Sequence, residues 1–314
     1  MIDSVQLQNF ALMGQIAVKS STAVLLAALG EIVAERSGVL NLGLEGMLLF
    51  GALAGFAVGA STGDPALALG AAALAGGLAA LLHAFFAVTL GASQVLSGLA
   101  LSLLGAGVTG VLGRDLLGAP GLVLPSAPVP GLSALPVVGP MLFDQPLPTY
   151  LALALGPLLW WALSRTRAGL FVRACGENAS AARACGVPVR TVRYACTCLG
   201  GALCGVGGAF LSLSFTPGWR EGMSAGQGWI AIAMVIFSLW RPLRALCGGL
   251  FFGGLMAAQF LAQTGGLAWM PVWLLRAAPY LLTIAVLAVT QASPRLRRRS
   301  GAPADLGRPL APRG

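Results

Sequence analysis

Four ionisable side chains, Glu31, Glu35, Arg36 and Glu45, fall within fifteen residues of the stretch GEIVAERSGVLNLGLEGM, between two long apolar runs. Such a cluster at the foot of a membrane span is costly unless it is paired or wetted, which marks it as a functional site by default. Ser37, Gly38, Asn41, Gly43 and Gly46 are weak interior helix residues and predict a break between two spans. Broken backbone at membrane depth must be satisfied by protein groups or a water-filled cavity. The same spacing also fits a charged turn on the cytoplasmic surface, and the residue types alone leave both readings open.

Other chemistries find little support. The sequence has no GxxxxGK[ST] phosphate loop, no HExxH and no GxSxG. His83 is the single histidine, and the six cysteines contain no CxxC pair, so neither a catalytic centre nor a metal site is expected. The cysteines read as small packing residues. With the connections assigned below they fall on the cytoplasmic side or within the membrane, where disulfides are not expected.

Composition sets the class. Of 314 residues 57% are hydrophobic and 9% charged, against about 25% charged in a soluble domain. The expected fold is an all-α polytopic transmembrane bundle. Spans of about 20 apolar residues are expected at roughly 9–29, 46–62, 66–90, 93–113, 149–163, 194–215, 226–240, 245–264 and 272–291, nine in all with eight to ten allowed. The transmembrane domain is thus 1–292, followed by a basic, disordered tail at 293–314. MIDSVQLQNF has no basic n-region, so no cleaved signal peptide is expected. The net charge of +9 comes from arginines in a few connections and the tail. It fits membrane orientation, with anionic lipid as a partner, and not nucleic-acid binding.

The arginine-rich connection 164–193 and the tail both belong in the cytoplasm by the positive-inside rule. Counting back places 114–148 and the N-terminus outside. The 114–148 loop carries eight prolines and predicts an extended segment. Gly51, Gly55 and Gly59, then Gly201, Gly205 and Gly208, then Gly249 and Gly253, form small-residue ridges where helices can approach closely. Glu45-Gly46-Met47 and Glu221-Gly222-Met223 hint at an inverted repeat.

The connection RTRAGLFVRACGENASAARACGVPVRTVRY predicts a short helix capped by Asn178 and ended by Gly186, framed by Arg173, Arg183 and Arg190. A stiff capped helix on the inner face suits docking into a cytoplasmic partner; a plain helical linker fits the pattern too. Gln94, Ser97, Ser102, Gln227, Gln259, Gln263 and Thr264 are the polar residues available to line a path. No carboxylate chain is visible in the spans from residue 65 onward, which argues against a proton-coupled carrier.

AERSGVLNLGLEGMLLFGA closely resembles a motif of the membrane permeases of bacterial ABC importers for simple sugars and nucleosides, the branched-chain amino acid and ribose permease-like family, with its nucleoside-type branch nearest. VRACGENASAARACGVPVRTVRY resembles the coupling-helix loop of that family. PGLSALPVVGPMLFDQPLPTYLAL and GQGWIAIAMVIFSLWRPLRALCGGLFFG are similar to its outer loop and its seventh and eighth spans.

The resemblance implies a permease subunit with no catalysis and no cofactor of its own, ATP and magnesium being held by a partner. It implies three partners: a double-cassette ABC ATPase, a second longer permease, and an extracytoplasmic binding protein or lipoprotein. By motif, Gly176, Glu177, Asn178, Ala181, Ala182, Arg183 and Gly186 fall in the coupling helix. Asn41 and Glu45 fall beside the translocation path, with Gln94, Ser97 and Gln227 as further path candidates. The expected location is the bacterial inner membrane, with the C-terminus cytoplasmic. An ion-coupled secondary transporter and a non-transporting scaffold are the alternatives.

Overall fold

The computed structural model describes residues 4–263, scattered positions between 273 and 288, and residues 301–309. The chain is an all-α membrane bundle. Its helices are α1 (Ser4–Arg36), α2 (Leu44–Thr62), α3 (Pro65–Ala84), α4 (Gln94–Leu112), α5 (Val138–Phe143), α6 (Leu147–Arg165), α7 (Arg167–Glu177), α8 (Ala179–Ala184), α9 (Val189–Phe210), α10 (Gln227–Phe237) and α11 (Pro242–Gln263). Turns of π-helix extend α3 through Phe85–Thr89 and α9 through Leu211–Phe215.

Six helices among the described residues are long and apolar enough to cross a membrane, and α10 is apolar but shorter. The span expected at 272–291 lies outside the continuously described residues. The stretch between α4 and α6 is not simply extended. It pairs β1 (Ser126–Pro128) antiparallel with β2 (Asp144–Pro146) and places α5 between them.

Helices α1 and α9 form the centre. Gly30 and Gly200 sit back to back, and a methyl group on Gly30 would lie 2.6 Å from the Gly200 carbonyl oxygen. The ridges expected from sequence are the close contacts of the bundle. Gly51 faces Gly205, Gly76 faces Gly201 and Gly205, and Gly249 and Gly253 of α11 face α1 at Leu25 and at Ala17 and Ser21. Lipid supplies no hydrophobic drive between helices, so this approach of bare backbone is what dispersion requires. The long side chains of α3 and α4, including Leu78, Leu81, Phe85, Leu96 and Leu103, point outward instead.

The expected charged connection at 30–45 is largely helix. α1 runs on through Glu31, Glu35 and Arg36, and the break is confined to Ser37–Gly43. The helix continues because Glu35 and Arg36 find hydrogen-bond partners inside the protein and Glu31 is bonded through Oε1, while its Oε2 is buried with no partner among the described residues. The Glu35 carboxylate accepts the Trp240 indole N–H, and Arg36 Nε donates to the Trp240 carbonyl at 3.1 Å. Within the tail, residues 301–309 form turns packed on the same end of the bundle as Arg36, α7 and α8. We call this arginine-rich end the basic end.

Candidate functional site

The Ser37–Gly43 loop turns back into the bundle, and side chains from three helices satisfy its backbone. Glu31 Oε1 accepts the Asn41 N–H at 2.9 Å, Gln94 Oε1 accepts the Leu40 N–H at 2.7 Å, and the Ser102 hydroxyl donates to the Leu42 carbonyl at 2.9 Å. His83 Nε2 lies 3.1 Å from the Leu40 carbonyl and Nδ1 3.1 Å from the Ser97 hydroxyl. A carbonyl only accepts, so Nε2 carries the proton and Nδ1 of the neutral ring accepts from Ser97. Asn41 Oδ1 accepts the Gly43 N–H at 2.8 Å and holds the chain for entry into α2. Non-helical backbone buried away from water demands such partners.

Glu45, in the first turn of α2, is the centre of the arrangement. Its carboxylate accepts the Ser224 hydroxyl at 2.5 Å, the Gly226 N–H at 2.8 Å and the Gly228 N–H at 2.8 Å. The last two donors belong to the start of α10, whose free N–H groups and dipole favour a negative charge. One carboxylate therefore serves two helix starts. At 1.5 Å per residue, the eleven residues of α10 span about 16 Å, so its start lies well inside the bundle from the Trp240 turn.

Next to Glu45, Gln227 is 5% exposed and its Oε1 has no hydrogen-bond partner among the described residues. It lines a cavity of about 650 Å³ with Lys19, Thr216, Arg220, Glu221 and Gln259. The sequence candidates therefore divide. Gln227 reaches the cavity, while Asn41 and Gln94 are buried and hold the loop. Ser97 faces a separate, mostly apolar cavity of about 470 Å³ with Leu82, Phe86 and Leu104.

At the basic end, α7 and α8 form a bent pair. Asn178 Oδ1 accepts the Ala181 N–H at 2.9 Å and caps α8, and Gly186 closes it at φ +82°. Glu177, Asn178, Ala181, Arg183 and Gly186 are exposed, while Gly176 and Ala182 face inward. Gly176 sits against the Arg36 carbonyl, and Ala182 packs with Cys175, Ala179 and Val189.

Arg193 was legible only as a topology signal, yet it is 1% exposed. Its guanidinium donates to three carbonyls on three segments: Ser37 at 3.1 Å, Cys175 at 3.4 Å and Arg308 at 3.3 Å. Gly38 makes room for it at φ +94°, where a methyl group would lie 2.6 Å from Arg193 Nη2. No sequence spacing announces this hub, nor the roles of His83, Ser224 and Gly228, since each acts on groups far away in the chain.

Residues 12–287 match the family model described as the permease component of the branched-chain amino acid transport system. The chain belongs to that family. This permease is 41% identical to a putative glucose ABC transporter permease protein of Haloferax volcanii, over 86% of this chain and 88% of that one. It is 35% identical to a nucleoside ABC transporter permease protein of Lactococcus lactis, covering 86% and 89% of the two chains. It is also 35% identical to a guanosine ABC transporter permease protein of Bacillus subtilis, covering 84% and 87%. No solved structure matches it. It is a membrane permease subunit of an ABC transporter, and proteins of this family are transport components and not enzymes.

Proposed function

We propose that this permease forms one half of the translocation path of an ABC importer for a nucleoside or, as a second choice, a simple sugar. The observation that carries the reading is the Glu45 junction: the starts of α2 and α10 are held together inside the bundle by one carboxylate, beside a cavity that Gln227 helps to line. Discontinuous helices whose ends meet near the midplane are a recurring way to build a transport site. A glutamine at a cavity wall has the donors and the acceptor to pair with the hydroxyl or amino groups of a passing substrate. The relatives named for guanosine, nucleosides and glucose support such a cargo.

In this reading the basic end is cytoplasmic, and the described helices with the 272–291 segment make about nine spans in the cell membrane. α1, α2 and α3 correspond to α9, α10 and α11 as an inverted repeat. Its support is the reciprocal packing, with α11 along α1 and α3 along α9. The α7–α8 pair docks into a double-cassette ATPase that holds ATP and magnesium. A second, longer permease completes the path, and an extracytoplasmic binding protein or lipoprotein delivers cargo. Nucleotide and loaded binding protein each favour a different state, as alternating access requires.

Two measurements test this. Uptake of labelled nucleosides and sugars in a strain lacking this permease should be lost for nucleosides and restored by the intact chain; loss confined to sugars overturns the first choice of cargo. Arg183→Glu should insert normally and abolish transport-linked ATP hydrolysis in the purified complex. Normal coupling in that variant removes α8 from the mechanism.

A further inference from the structure

Residues 301–309 lie beyond the part of the chain that matches the family, which ends at residue 287. Asp305 grips the α7–α8 junction through two bonds. Its backbone N–H donates to the Gly176 carbonyl at 2.8 Å, and its Oδ2 accepts the Ala179 N–H at 2.8 Å. With Asn178 on the Ala181 N–H, the start of α8 therefore has two caps, one local and one supplied from 126 residues away. Pro303 closes over Gly176, its Cβ 3.1 Å from where a methyl group would stand.

Two and three residues later the same segment holds a different part of the molecule. The Gly307 N–H donates to the Gly38 carbonyl at 3.3 Å. The Arg308 carbonyl accepts from Arg193 at 3.3 Å and from the Gln94 amide at 3.5 Å. Leu306 packs against the main apolar core. Gln94 in turn holds Leu40 with its other amide atom. A short run of chain thus joins the start of α8 to the Ser37–Gly43 loop that feeds Glu45. It leaves Ser180, Ala181, Arg183 and Cys185 exposed, so it supports α8 from behind and leaves the docking face open.

We propose that residues 301–309 are a strap that carries displacement of the coupling helix to the Ser37–Gly43 loop, with Asp305 as its positioning residue. The inference rests on α8 being the helix that meets the ATPase. Hydrogen-bonded and packed networks that bridge two bodies are one way in which coupling is carried across a protein. The strap grips α8 on one side and the loop, α4 and α9 on the other. Asp305 touches no cargo; it acts by keeping the start of α8 in register.

The test uses the complete complex in proteoliposomes, comparing Asp305→Ala, Asp305→Asn and a chain ending at Ser300. That truncation keeps Arg295, Arg297, Arg298 and Arg299, so the topology signal stays. The readout is cargo moved per ATP hydrolysed. Because coupling free energies commonly correspond to factors of 5 to 150, Asp305→Ala and the truncation should each lower this ratio by about fivefold or more. Asp305→Asn keeps an oxygen acceptor for the Ala179 N–H and should stay near the parent value. Hydrogen exchange of the 174–184 segment should quicken in both impaired chains before the ATPase is added. An unchanged ratio and unchanged exchange, with Arg183→Glu still uncoupling, overturns the strap and leaves α8 as the docking helix. If Arg183→Glu is also silent, the assignment of α8 falls and the strap falls with it. Should the truncated chain fail to assemble, Asp305→Ala alone decides the matter.

Discussion

Glu45 and Gly228 hold α2 and α10 together at their starts. The Gly228 N–H donates to Glu45 Oε2 at 2.8 Å, and a methyl group on Gly228 would lie 2.6 Å from the Glu45 Cα. The contact works only with a carboxylate on one side and no side chain on the other. Glu45→Gln removes the charge and turns one acceptor into a donor facing N–H groups. Bonds to a charged group are worth about 1.5–3 kcal/mol each. Glu45→Gln should therefore lower stability by roughly 3 kcal/mol or more, read as a fall in the melting temperature of the purified permease. Gly228→Ala should cost about 1–3 kcal/mol through overpacking.

The Arg193 hub predicts a different hierarchy. A lysine has a single nitrogen and cannot reproduce a planar fork spread over three carbonyls. Arg193→Lys should be destabilising, and Arg193→Ala more so, because it orphans the carbonyls of Ser37, Cys175 and Arg308. Gly38→Ala should resemble a mild version of the same defect: the left-handed backbone alone costs about 1–2 kcal/mol for a residue with a Cβ. Thermal unfolding checks the order, with Arg193→Ala melting lowest, Arg193→Lys next and Gly38→Ala highest of the three.

Gln227 separates function from stability. Its Oε1 lacks a partner among the described residues, so Gln227→Leu should leave the melting temperature unchanged or raise it slightly. Uptake should fall, with the Michaelis constant rising. A variant that unfolds while its Michaelis constant is unaltered would make Gln227 a structural residue.

The cysteines report on the α7–α8 connection. Burial raises the Cys175 thiol above its ordinary value, and the nearby Arg193 charge only partly opposes this. A raised value means less thiolate at any given pH, and the thiolate is the reactive form. Cys175 should thus stay unlabelled by maleimide through neutral pH, with reaction appearing only as the pH climbs past the usual thiol range. Cys185 is exposed on the α8 turn and, with the proposed cytoplasmic orientation of this end, should label in inside-out vesicles. Added ATPase should protect it. Mass spectrometry of the labelled peptides distinguishes the two sites.

Much of the bundle was legible from spacing. Gly51 and Gly205 could be placed on ridges because small residues four apart have one meaning in lipid, and they do meet. Asn178 and Gly186 were legible as the ends of α8 because caps are local chemistry. The run of α1 through Glu31 and Glu35 was not, since what makes those charges tolerable is Trp240 and a backbone N–H ten residues on. The docking of Asp305 was hidden for a related reason. Half of its grip is a backbone bond to Gly176, and a backbone bond leaves no trace in residue type, while Arg, Pro and Gly in the tail signal solvent.

At Gly30 and Gly200 the main chains of α1 and α9 meet with no side chain between them, so the pair has little slack there. The central pair behaves as a keel. Under the proposed cycle, opening and closing should come from the pieces hung on it, with α10 and the loops around Glu45 moving against the central pair. A small molecule meant to arrest the cycle should therefore be sought beside α10, where there is room to wedge, and not along the central pair.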